Sequence, residues 1–85
     1  MPKFRNKPVI IEAEQFLPPD KIPEGVVGSW RNFNSMDVYE YHVFDSEQRG
    51  KIPCHSGDWI ITGTEGERYP CSDVVFKKKY EPVNN

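Results

Sequence analysis

Gly50 to Val83 reads GKIPCHSGDWIITGTEGERYPCSDVVFKKKYEPV. Short apolar runs alternate in it with breaks centred on glycine. Hairpin turns need Gly, Asp or Asn where φ turns positive, so this is how a series of β-hairpins is written. Trp59 to Thr62 is the most apolar strand, with Trp59 and Ile61 on one side and Ile60 and Thr62 on the other. Ser56-Gly57-Asp58 turns the chain into it, and the Asp58 carboxylate is placed to accept from its own turn backbone. Gly63 to Gly66 turns it out again toward a returning strand, Glu67 to Pro70, with both glycines suited to positive φ. Ser72 then caps a helical turn from Asp73 to Phe76, its hydroxyl accepting from an orphan amide and Asp73 matching the helix dipole. Lys79 to Val83 reads as a last strand.

Upstream, Lys7 to Phe16 alternates with period two. Val9, Ile11 and Ala13 share one face and Ile10, Glu12 and Glu14 the other, with Pro8 at the strand start. Pro18, Pro19 and Pro23 make the segment from Leu17 to Glu24 a connection. Pro23 either ends it or opens a short helix, since Val26, Val27 and Trp30 have helical spacing. On that reading Trp30 and Phe33 plug the core from outside, or else offer a flat platform to a ligand. Asn32 to Ser35 are turn residues. Met36 to Phe44 is a strand with Tyr39, Tyr41 and Val43 on one face and Val38, Glu40, His42 and Phe44 on the other. A polar loop from Asp45 to Gly50 returns it onto Lys51-Ile52-Pro53.

The expected fold is therefore β-dominated α+β: one domain over residues 1–85, built on a small, strongly bent antiparallel sheet or partly open barrel with one or two short helical segments. Residues 1–5 and 84–85 are expected to be tails and 17–35 a Pro-rich arm. Eighty-five residues support one small core, in which the 13% aromatic content carries much of the burial. Eight prolines and six glycines argue against long helices. A net charge of −2 disfavours nonspecific DNA binding. Positive charge gathers only at Lys3, Arg5 and Lys7 and at Lys77, Lys78 and Lys79, which form one basic patch if the ends are adjacent and otherwise a solvated face. No apolar run is long enough to span a membrane and no signal-peptide core is present, so a cytoplasmic protein is expected, with Cys54 and Cys71 reduced.

Lys7-Pro8-Val9-Ile10-Ile11-Glu12-Ala13-Glu14-Gln15-Phe16, Gly57 to Gly63, Gly66 to Cys71, Phe76 and Tyr80-Glu81-Pro82 together resemble a family of small phage and prophage proteins. The resemblance implies an accessory protein acting inside a bacterial host and brings no activity with it. Leu17 to Ser35 departs from the helical middle associated with that family.

Catalytic templates fail on inventory. The chain has no phosphate-binding glycine loop, no His-Glu-x-x-His and no Cys-x-x-Cys. Cys54, His55, Asp58 and Cys71 match no zinc spacing, and no cofactor is expected. Cys71, just before the helical turn, is a nucleophile only if His42 or His55 approaches it; otherwise it is a buried small hydrophobe. His42 itself reads as an ordinary strand residue. The preferred reading is a non-enzymatic binding module for a host protein that uses Trp30, Phe33, Trp59, Arg68, Tyr69, Lys77 and Lys78. The alternative is a binder of a small nucleotide messenger, in which Trp30, Trp59 or Tyr69 stacks a base and Lys77, Lys78 or Arg68 meets phosphate. An enzyme with a Cys71 nucleophile ranks third. Exposed aromatics and unfinished sheets also allow a homodimer.

Overall fold

A computed structural model of the protein describes residues 2–4, 9–45 and 50–83. Among these residues six strands precede one helix: β1 (Glu12–Gln15), β2 (Val27–Phe33), β3 (Met36–Phe44), β4 (Lys51–Cys54), β5 (Trp59–Thr62), β6 (Arg68–Cys71) and α1 (Asp73–Lys79). The strands form two antiparallel sheets, β1-β5-β6 and β2-β3-β4. The β-dominated expectation holds, but no closed barrel forms among the described residues. Leu17 to Val26, bridged only between Leu17 and Lys21, delivers the chain from the end of the first sheet into the second instead of continuing one ladder.

Period-two alternation decides which side chains meet between the sheets. Ile60 lies opposite Glu14 and Pro70 on one face of the first sheet. Tyr41 and Val43 lie opposite Cys54 and Ile52 on one face of the second. Ile60, Val43 and Cys54 pack with Phe16 into the buried core, flanked by Val26, Tyr41 and Ile52. Phe16 is locked there by its backbone, whose N–H donates to Asp58 O at 2.7 Å and whose carbonyl accepts from Gly57 N at 2.8 Å.

Three expected elements change. The helix over Val26 to Trp30 is instead strand β2, because Gly25 and Gly28 each weaken a helix by about 1 kcal/mol while β3 offers a full partner row, Val27 opposite His42 through Phe33 opposite Met36. Asn34 and Ser35, at φ 50° and 63°, make the two-residue turn that such a hairpin requires. Trp30 and Phe33 therefore do not plug the core: they are 70% and 53% exposed. The last strand is absent as well. The helix runs on to Lys79, with Lys77, Lys78 and Lys79 in its last turn complementing the dipole, and no strand follows among the described residues. The first strand pairs only over Glu12–Gln15; its expected start at Lys7 and Pro8 lies outside the described residues, as do Arg5 of the basic patch and most of the two tails. Of the two hairpin glycines, Gly66 has φ 86° and Gly63 is not in that region.

The radius of gyration is 15.6 Å, with extents of 56 × 32 × 21 Å, against about 12 Å for a compact chain of this length. Much of the exposed apolar surface lies on the β2–β3 hairpin. A file of edge-to-face rings runs from the core into it: Phe16 to Tyr41 at 5.0 Å, Tyr41 to Tyr39 at 5.2 Å, and Tyr39 to Trp30 at 5.0 Å. Gly28 permits this file, since the Tyr39 ring occupies the space any Cβ at position 28 would take.

Candidate functional site

The first sheet has a second apolar face. Trp59 lies opposite Gln15 and Cys71, and Ile61 opposite Ala13 and Tyr69. Helix α1 attaches to this face through a small set of contacts. Ser72 accepts from Val75 N at 3.3 Å. The Trp59 indole stacks on Phe76 at 4.3 Å and 7° and donates through Nε1 to Asp73 Oδ1 at 2.8 Å. Lys77 Nζ sits 3.1 Å from the other Asp73 oxygen. Those hydrogen bonds, from Trp59 first and Lys77 second, hold the Asp73 carboxyl below its ordinary range. Tyr80 follows Phe76 at 5.1 Å. Burial first, and then the hydrogen bond with Tyr80, push the Tyr69 hydroxyl up.

Helix α1, seven residues and about 10 Å long, roofs the sheet at Trp59, where Phe76 stacks. The roof stops short of β1 and leaves an open groove of about 700 Å³, within the range of about 300–1,000 Å³ of ligand sites. Val9, Ile11 and Ala13 form its floor, Trp59, Phe76 and Tyr80 one wall, and Lys77 and Glu81 its polar rim. Val9 and Ile10 stand 58% and 75% exposed beside it. Among the described residues β1 has β5 as its sole neighbour in the sheet, and its Ala13 lines the groove.

The seven residues singled out from the sequence occupy three places. Trp59, Tyr69 and Lys77 gather at or beside the groove, with Lys78 exposed on the helix. Arg68 lies on the opposite face, paired across from Thr62, its guanidinium 4.0 Å from Glu24 and its side chain over Gly25. Trp30 and Phe33 are on the hairpin arm. Arg68 and Lys77 therefore do not converge on one phosphate beside a stacking ring. Sequence reasoning missed Val9, Ile10, Phe76 and Tyr80 as site residues. The available signal was the unbroken run Val9-Ile10-Ile11, which puts apolar side chains on both faces of a strand that needs only one covered.

The cysteine constellations disperse too. Cys54 is 8% exposed in the core, where burial and then the Asp58 charge push its thiol up to about 11. His55 is at the surface, and its backbone N–H donates to Asp58 Oδ2 at 2.9 Å, which makes Asp58 the turn cap expected of it. His42 is buried on the side of β3 turned away from the core, opposite Val27 and Pro53, whereas Cys71 faces the helix. Among the described residues no three His, Cys, Asp or Glu side chains group as metal ligands, and no helix is long and apolar enough to cross a membrane.

A thiol reagent at pH 8 is expected to modify half-buried Cys71 well before Cys54; equal rates would refute this packing, and an inert Cys71 would end the nucleophile reading. Because the folded state raises the Cys54 pKa, its contribution to stability is complete below about 9.0, the ordinary thiol value, and is lost as pH rises through about 11. Urea midpoints should accordingly fall between pH 8 and 10.5, and less so in Cys54→Ala. No protein-family model, curated protein or solved structure matches the chain.

Proposed function

We propose that the protein is a non-enzymatic binding module, a phage accessory protein that takes an extended apolar segment of a host protein along β1. The observation that carries this reading is the coincidence of an unpaired strand edge with an apolar floor that α1 fails to cover. A segment added to that edge gains main-chain hydrogen bonds and points alternate side chains toward Val9, Ile11 and Ala13. Lys77 is already tied to Asp73, so Lys78 and Lys79 are the cations that select acidic flanks on the segment.

The test is fluorescence anisotropy with labelled peptides that alternate Val, Ile or Phe with Ser or Thr and carry acidic, basic or scrambled flanks. Acid-flanked alternating peptides are expected to bind, with amide shifts at 9–13 and in α1. Val9→Asp, at an exposed position, is expected to abolish this. Binding that ignores alternation, or shifts elsewhere in the chain, would refute the reading. A rise in melting temperature with cyclic or linear nucleotides alone, about 2.7 kcal/mol at a hundredfold the dissociation constant, would favour a nucleotide binder in its place.

A further inference from the structure

We infer that the chain pairs with a second copy of itself through the free edge of β2, antiparallel, with Trp30 on the twofold axis. The accessible surface is 7427 Å², while a compact monomer of 9.9 kDa exposes about 5,200 Å². The excess, on the order of 2,200 Å², is larger than the roughly 800 Å² that each partner contributes to a standard interface.

The choice of edge follows from what guards each strand. β1, β4 and β6 are four residues long. The β1 edge is the one that adjoins the groove, while β4 and β6 hold Pro53 and Pro70, the prolines that blunt edges. β2 is seven residues long, has β3 as its sole neighbour among the described residues, and contains no proline. Its single charge, Arg31, is spent on Glu40 at 2.7 Å.

Symmetry then fixes the register. Across a twofold axis normal to a continuous sheet, paired residues must face the same side, so only registers centred on one residue are allowed. Centring on Arg31 sets two guanidinium groups against each other. Centring on Ser29 puts Arg31 against Val27 and leaves Phe33 beyond the partner strand. Centring on Trp30 pairs all seven residues: Trp30 with Trp30, Ser29 with Arg31, Gly28 with Asn32, and Val27 with Phe33. Apolar meets apolar, and no like charges are opposed. The two aromatic files join at the axis, so edge-to-face contacts run from the core of one copy to the core of the other. Because β2 and β1 lie in different sheets, this pairing is separate from the groove.

Light scattering coupled to size-exclusion chromatography is expected to give twice the chain mass of 9.9 kDa. Trp30→Lys should weaken association about thirtyfold or more, as loss of a central tryptophan anchor does, with an unchanged circular dichroism spectrum. Should that variant lose its fold, cross-linking decides in a Cys71→Ser background. Under mild oxidation at high protein concentration, where a disulfide traps even the pair weakened by loss of the indole, Trp30→Cys is expected to form a covalent dimer and Asn34→Cys none, since position 34 lies four residues from the axis in each copy, about 26 Å from its mate. A monomeric mass at 500 µM, a dimer that survives in folded Trp30→Lys, or Asn34→Cys cross-linking as readily as Trp30→Cys would overturn the inference.

Discussion

Replacing Phe16 with alanine is expected to cost about 3–5 kcal/mol, enough to unfold much of the population at room temperature. A domain of 85 residues holds only about 4–13 kcal/mol in total. The core that supplies it is small: among the described residues five apolar side chains are buried, of which Phe16 at 1% exposure is the largest. Its ring fills the space between Ile60 of one sheet and Val43 and Cys54 of the other, and it meets Tyr41 edge-on at 5.0 Å. Phe16 also ends β1, where its two backbone hydrogen bonds to the Gly57-Asp58 turn extend the ladder. Alanine keeps those bonds and loses the filling, so the loss reports packing alone. Urea denaturation should show Phe16→Leu within about 1.5 kcal/mol of the parent and Phe4→Ala, at a position 93% exposed, within about 0.5 kcal/mol. If Phe16→Ala behaved like Phe4→Ala, the sheets would not be joined through this residue.

Local chemistry was legible in the sequence wherever it was sufficient. Strands β3 and β5 follow from alternation, and the Ser72 cap from a hydroxyl standing before Asp73. The helical reading of β2 rests on Val26, Val27 and Trp30, whose i, i+1, i+4 spacing imitates a helix face, with Val27 and Trp30 three residues apart. On a strand that interval alternates faces, and only the partner row on β3 resolves the ambiguity. Gly28 was counted as a weak spot in a helix, yet it is where the Tyr39 ring crosses the strand, a contact between residues eleven apart. The expected final strand failed because three lysines that suit a helix C-terminus also suit a solvated strand. The groove was illegible for a different reason: it depends on where α1 seats on a sheet assembled from β1, β5 and β6, strands distant in sequence. Trp59 could be picked out, since a tryptophan beside a turn in so small a chain has few places to go. That Arg68 and Lys77 lie on opposite faces depends on the pairing of Arg68 with Thr62, which composition does not encode.

Trp59→Ala is expected to cost about 1–3 kcal/mol and to open the groove, because one half-buried residue ties α1 to the sheet. Its ring stacks on Phe76, its N–H holds Asp73 at the first turn of α1, and its backbone sits in β5 between Gln15 and Cys71. Trp59→Phe separates these roles, retaining a stacked ring while removing the N–H donor. The Asp73 pKa is lowered in the folded state, chiefly by that donor and secondarily by Lys77. The sign of the linkage follows: the stabilisation is present above the ordinary carboxylate value of 3.8 and is lost as pH falls through the lower folded value. Urea midpoints for the parent should therefore drop between pH 6 and pH 3 by more than those of Trp59→Phe or Asp73→Asn. Combining the two substitutions should add little to the pH dependence, because each removes one side of the same indole-to-carboxylate contact. Equal acid sensitivity in all four proteins would show that the indole N–H does not stabilise the carboxylate, and α1 would then be held by the ring stack and the Ser72 cap. An exposed groove without its Trp59 wall should at the same time lose the preference for alternating peptides, whereas Trp59→Phe should keep it. The helix anchor and the binding surface are in this way one structure, and stability at acid pH and peptide selectivity are expected to separate in Trp59→Phe and in Asp73→Asn, which keep an aromatic wall and lose the pH-dependent contact.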